Sequence, residues 1–339
     1  MNKRVGRASI LLGEEVYIEE SASVVGTKEG EGPLGGLFDR VGTDDMFEAN
    51  TWEEAESTLQ KEAVYLALKK AGKTPEDMQF MFAGDLLGQC TASSFGIKSF
   101  EIPLFGLYGA CSTCGESLSL GALTVAAGYA DHVICVTSSH FASAEKEFRF
   151  PLEYGNQRPL SATWTVTGSG AFVLTNKKTE GCKARITGTT TGIITDFGLK
   201  DSMNMGPCMA PAAASTIERH FRDFGTTPKD YDHIITGDLG SVGQTVLLDL
   251  LRSKGYDIAK QHLDCGMMIY DAGTQDTHAG GSGCGCSAVT LSAHILRQLA
   301  DKSWKKVLFL PTGALLSKTS FNEGRTVPGI AHALVLEAI

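Results

Sequence analysis

The sequence predicts an α/β protein built by duplicating one strand-and-helix unit. Three observations carry this prediction. A segment recurs at constant offset, strands alternate with helices in both copies, and the composition is that of an ordinary globular chain.

The recurrence is direct. Residues 72–89 read GKTPEDMQFMFAGDLLGQ and residues 225–242 read GTTPKDYDHIITGDLGSV. At an offset of 153 (225 − 72), Gly72/Gly225, Thr74/Thr227, Pro75/Pro228, Asp77/Asp230, Gly84/Gly237, Asp85/Asp238 and Leu86/Leu239 coincide. Each copy has the same syntax: a helix stopped by glycine, a Thr-Pro turn, a short apolar strand, and Gly-Asp-Leu.

The helix before the first copy is read from its period. Ala55, Leu59, Ala63, Leu66 and Ala67 share one face, with charged residues opposite, and Gly72 supplies the C-terminal cap. A small-residue helix over Thr113–Gly128 then leads to a strand over His132–Thr137. In the second copy a helix over Ser287–Leu299 leads to a strand over Lys306–Leu310. Closing strands follow at Gly170–Leu174 and Ala333–Glu337. Such alternation predicts βαβ units and a mostly parallel, buried sheet. The polar stretch NKKTEGCK at 176–183 reads as the junction, giving an N-terminal half over 1–180 and a C-terminal half over 181–339.

Composition narrows the function. With 42% hydrophobic and 20% charged residues, the 339-residue chain can bury a large core. Its net charge of −9 argues against a nucleic-acid footprint, which needs a basic face. An anionic ligand must then meet a local cluster of positive charge or a bound cation. The apolar run near the N-terminus, Ala8–Leu12 interrupted by Ser9, is about half of what a signal peptide needs. No run reaches the ~18 residues of a membrane helix, so an intracellular protein is expected. Its nine cysteines are then read as reduced thiols. Cys111/Cys114 and Cys284/Cys286 do not make a zinc pattern, the second pair being too tight, and no metal is expected.

The chemistry points to Tyr108–Ser117, which places Cys111 just before a helix. Unpaired backbone N–H groups and the positive end of the dipole there favour a thiolate, while a buried structural cysteine fits the same position. The run from Gly109 to His140, with Cys111 followed by a helix to a glycine seventeen positions on, resembles the nucleophile segment of the thiolase superfamily, particularly the ketoacyl synthases. Thr167–Leu174 resembles the Gly-x-Gly-Ala strand that closes their first half. The resemblance implies two βαβαβ-type halves forming a five-layered αβαβα core, and a homodimer. It also implies two further catalytic groups in the second half, a His and a His or Asn, which activate the cysteine and bind the oxyanion. This chain offers Asp238 at one of those positions and Ser282 at the other, or His278 after a four-residue shift. A carboxylate at 238 opposes thiolate formation, so a condensing enzyme using Cys111 as nucleophile is the secondary reading.

A narrower resemblance rests on motifs spread over both halves. They are Glu29–Leu34 (EGEGPL), Ala83–Leu87 (AGDLL), Gly109–Thr113 (GACST), Ser138–His140 (SSH), Phe148–Pro151 (FRFP), Glu153–Gly155 (EYG), Met209–Ala214 (MAPAAA) and Gly280–Cys284 (GGSGC). Together they are similar to the stage V sporulation protein AD family. That family implies a non-catalytic protein that binds dipicolinic acid (pyridine-2,6-dicarboxylate) and takes part in its uptake into the developing spore. It would work in the sporulating cell or forespore, peripheral to the spore inner membrane, beside membrane proteins of the same apparatus. Calcium enters only as a companion of the ligand.

A flat dianion calls for forked donors and an apolar slot. Arg149, flanked by Phe148 and Phe150, is the preferred fork, its alternative being a structural pair with Glu145 or Glu153. His140, at a strand's C-terminal end, is placed for a crevice, its alternative being a hydrogen-bonded core histidine. Cys111, Asp238, Ser282 and His332 complete the candidate ligand-binding set. Glycines 280, 281, 283 and 285 could bring backbone donors to an anion, or serve packing alone.

Overall fold

The computed structural model describes residues 2–13, 15–148 and 157–339. The first half contributes strands β1 (Tyr17–Val25), β2 (Phe80–Gly84), β3 (Leu104–Leu107), β4 (His132–Ser139) and β5 (Gly168–Thr175), with helices α1 (Trp52–Ala71) and α2 (Thr113–Ala126). The second contributes β6 (Ala184–Thr190), β7 (His233–Thr236), β8 (His262–Asp264), β9 (Lys306–Leu310) and β10 (Ala333–Glu337). Its helices are α3 (Gly206–Phe224), α4 (Gly240–Ser253) and α5 (Cys284–Thr290), the last continuing through a π turn at Leu291–Ile295 into Leu296–Ala300.

Strand order shows the duplication. The first half runs β1-β5-β4-β2-β3 and the second β6-β10-β9-β7-β8, the two joined where β6 meets β1. The expected mostly parallel sheet is corrected to a mixed one. In each half the outer three strands pair in parallel, while the closing strand runs antiparallel to both neighbours. Parallel pairing needs a crossover, and the alternating syntax supplies one only for the strands linked through packed helices.

Both faces of the central strands β4 and β9 are buried, with alternate residues serving different cores. Val133 and Cys135 of β4 face the central core while Ile134 and Val136 face α1. In β9, Val307 and Phe309 face the centre while Leu308 and Leu310 face α3 and α4. Helices α2 and α5 lie in the central layer between the two sheets, α1 covers one outer face, and α3 with α4 covers the other. The layering is αβαβα. Phe172 of β5 is 1% exposed in the central core, and Phe172→Ala there would cost about 3–5 kcal/mol.

Local chemistry ends the elements as the repeat predicts. Gly72 and Gly225 cap α1 and α3 at φ of 62° and 65°, a left-handed conformation that glycine adopts without strain. Thr74/Asp77 and Thr227/Asp230 each form a reciprocal capping box around the proline turn. Matching residues at the two ends of the repeat therefore do matching work. The buried face of α1 carries Ala55, Leu59, Ala63 and Ala67, with Leu66 partly buried beside them.

Candidate functional site

Cys111 sits in a tight turn between β3 and α2. Ala110, immediately before it, is held at φ 49°, a backbone strain that alanine rarely bears. The turn is closed by its own groups. Ser112 N donates to Gly109 O at 3.1 Å, Thr113 N to Ala110 O at 3.1 Å, and Thr113 Oγ1 to Ala110 O at 2.6 Å. Gly313 of the segment Thr312–Ala314 packs against it so closely that a Cβ there would lie 2.4 Å from Gly109 O. The second half thus presses directly on the turn, and any larger residue at 313 would displace it.

Three residues from separate parts of the chain meet behind the thiol. Cys111 Sγ lies 3.9 Å from Ser282 Oγ, and Ser282 Oγ donates to Asp238 Oδ2 at 3.0 Å. Gly283 N donates to the same oxygen at 3.0 Å, and Thr312 Oγ1 donates to Asp238 Oδ1 at 2.7 Å. Asp238 is fully buried and carries three donors, so its carboxylate is satisfied from within the protein. Burial nevertheless pushes its carboxyl up from the ordinary value of 3.8. Asp264, whose oxygens accept from Leu239 N at 2.9 Å and Gly240 N at 3.1 Å, holds the start of α4 next to it.

Of the two readings of Cys111, this arrangement favours the buried cysteine. Two backbone donors at the helix start, Ser112 N and Thr113 N, are spent inside the turn. Burial drives the thiol well above 9, and the Asp238 charge and its hydrogen bond to the thiol drive it further. Both effects favour the neutral thiol.

Above it opens a cleft with about 430 Å³ of empty space, its mouth included. Its walls are Leu86, Ala144, Phe148, Met205, Ala314 and Leu316, with Tyr108 at one side. Cys111 and Ser282 lie at the floor, and Thr165 and Ser202 add hydroxyls. Among the described residues no Lys, Arg or His lines it.

The structure separates the sequence candidates. Cys111, Ser282 and Asp238 converge, and Ser282 rather than His278 stands beside the thiol. His278 instead bonds Pro159 O at 2.9 Å and Asp276 Oδ1 at 3.0 Å. His140 and His332 are not brought to the cleft lining. His140 donates from Nε2 to Asp45 O at 2.7 Å, accepts from Ala142 N at 3.1 Å, and lies against Trp52, which makes it a hydrogen-bonded core histidine. His332 accepts from Gly192 N at 3.3 Å, and burial pulls it down to about 4. Arg149 lies outside the described residues. The glycine donors are partly consumed internally, Gly283 N by Asp238 and Gly285 N by Ser139 Oγ at 3.1 Å. Among the described residues no group of three or more His, Cys, Asp or Glu is arranged to hold a metal ion.

Sequence reasoning did not find Tyr108, Thr165, Ser202 or Met205. Tyr108 opens the cysteine segment and Leu86 closes the repeat, so both were visible as fold signals without being read as lining. Nothing local marks Ser202 or Met205. The Glu29–Leu34 motif also has another task. Tyr270 donates to Glu29 Oε1, as does Thr167 N at 2.9 Å, tying the two halves together through a carboxyl that burial pushes up to about 7.

Comparison with known proteins agrees with the layering and the motifs. Residues 6–337 match the family model described as Stage V sporulation protein AD (SpoVAD). The chain is 42% identical over 335 residues to the Stage V sporulation protein AD of Bacillus subtilis (strain 168), covering 99% of this chain and 98% of that one. Among solved structures it is similar to the tetronic acid condensing enzyme AbyA1, with a TM-score of 0.59 at 18% identity over 95% of this chain and 99% of that one. It is also similar to human mitochondrial 3-ketoacyl-CoA thiolase in complex with CoA, with a TM-score of 0.58 at 14% identity over 97% and 99%. At those identities the structural likeness establishes the thiolase fold alone. The match along nearly the whole chain settles the rest: this protein belongs to the stage V sporulation protein AD family.

Proposed function

We propose that this sporulation protein is a thiolase-fold ligand binder without condensing activity, that its ligand is dipicolinic acid, and that it takes part in moving that acid into the developing spore. The observation that carries the reading is the Cys111–Ser282–Asp238 arrangement. A cysteine nucleophile needs a base or a lowered pKa, and a thioester oxyanion needs donors. Here the thiol faces a carboxylate, its pKa is raised, and the neighbouring donors are turned onto Asp238. The cleft above has the apolar walls that a flat aromatic ring requires. Arg149 directly follows the wall residue Phe148 in sequence and remains the proposed fork for a carboxylate. Calcium enters as a companion of the ligand, and membrane proteins of the same apparatus as partners. No described helix is long and apolar enough to cross a membrane. A homodimer belongs to the same proposal, supported by β3, a sheet-edge strand exposing Leu104 and Phe105.

One observation favours acyl transfer through Cys111, namely the strained turn kept at Ala110. Calorimetric titration of the protein with dipicolinate decides the first reading. Saturable binding at one site per chain is the expected result, and no binding with or without calcium would overturn it.

A further inference from the structure

The floor of the cleft presents hydrogen-bond acceptors. A serine hydroxyl has one proton to give, and that of Ser282 goes to Asp238 Oδ2 at 3.0 Å. The Cys111 thiol lies 3.9 Å from Ser282 Oγ, which, with its own proton on Asp238, can only accept from it. What these two groups turn toward a ligand is lone pairs. Gly283 N, the nearest backbone donor, is also spent on Asp238 at 3.0 Å.

A carboxylate is an acceptor only. Placed on this floor it would meet lone pairs, with the fully buried Asp238 carboxylate behind them and no described cation in the lining. The titratable groups that Asp238 perturbs around it are Cys111 before α2, Asp264 at the end of β8, Cys265 in the helix Cys265–Ile269, and Cys286 in α5. All are acids or thiols, so nothing among them offsets a second negative charge. Two carboxylates sharing such a place hold one proton between them.

Resting on the dipicolinate reading above, we infer that the ligand must donate a hydrogen bond to the floor, so that dipicolinate is bound with one proton taken up from solution and Asp238, acting through Ser282, sets this requirement. The protonated carboxyl donates to Ser282 Oγ. The other carboxylate stays ionised toward the wall formed by Tyr108 and Ser202. Asp238 is a specificity-determining residue that selects the acid over the dianion without touching it.

The test is calorimetry of dipicolinate binding at one pH in two buffers of different ionisation enthalpy, repeated from pH 6 to pH 8. Uptake of about one proton is expected, with affinity weakening by up to about tenfold per pH unit. The 2,6-pyridine monoamide monocarboxylate brings its own donor. It should bind at pH 8 at least as tightly as dipicolinate, with no proton uptake. In Asp238→Asn the amide can donate to Ser282 and free the hydroxyl proton for the ligand, so the buffer dependence should vanish and dianion binding at pH 8 should tighten. Buffer-independent heats together with weaker binding of the monoamide would overturn the inference while leaving dipicolinate binding intact. Absence of any dipicolinate binding would overturn the functional reading and this inference with it.

Discussion

Ser282 Oγ stands 3.9 Å from Cys111 Sγ and gives its proton to Asp238. The two residues are 171 positions apart in the chain, and their meeting forms the floor of the cleft. The geometry differs from an activated cysteine in charge as well as in residue type. A thiolate here would lie against a buried carboxylate, where the repulsion between like charges is unscreened by water.

Cys111 should therefore resist acylation. Incubation with acetyl-CoA or malonyl-CoA, followed by intact-mass and peptide mass spectrometry, should leave it unmodified. A stoichiometric acyl adduct on Cys111 would restore the condensing-enzyme reading.

Dipicolinate should raise the apparent melting temperature by mass action, since only the folded protein presents the cleft. Phthalate lacks the ring nitrogen and a pyridine monocarboxylate lacks one acid group, so both should shift it less. Equal shifts from all three, read by differential scanning fluorimetry, would indicate general anion binding and count against a dedicated site.

Cys111 and Arg149 should contribute unequally. Cys111→Ala removes one weak polar contact and some shape, and should cost roughly 1 kcal/mol of binding. Arg149→Ala would strand a ligand carboxylate, a loss of about 2–5 kcal/mol, or about thirtyfold or more in Kd. Arg149→Lys should recover part of this, because an ammonium lacks the planar fork. Calorimetric Kd values, with circular dichroism to confirm folding, would reveal the reverse order if the anion contact lies elsewhere.

Glu29 should make stability depend on pH. Burial raises its carboxyl from 4.5 to about 7, with the neighbouring Asp45 adding to the shift. The folded state then holds this proton more tightly than the unfolded chain. Its contribution is fully present below pH 4.5 and is lost as pH rises through 7, by roughly 3 kcal/mol at most. Glu29→Gln keeps an acceptor for Tyr270 and Thr167 and removes the titration. Relative to the unsubstituted protein, it should melt higher at pH 8 than at pH 5. An identical difference at both values, measured by thermal unfolding, would rule Glu29 out as the source.

Much of the architecture was legible because it is local. The continuous apolar runs within His132–Thr137 and Lys306–Leu310 define strands buried on both faces, and Thr-Pro-x-Asp forms a capped turn in both copies. The antiparallel course of β5 and β10 was missed, since strand direction follows from how the chain returns and leaves no mark on side-chain period.

The candidate site divides along the same line. Residue order was enough for the duplicated fold, the turn carrying Cys111, and the presence of Asp238 and Ser282 where the resemblance puts catalytic partners. Each depends on residue order over a short span or on the repeat offset. Tertiary structure alone decided that Ser282 rather than His278 reaches the thiol, that His140 turns inward to Asp45 O, and that Asp238 draws in the donors around it. The direction of a side chain and the partner of its proton are set by what packs across from it, and the residue that meets Cys111 comes from the opposite half of the chain.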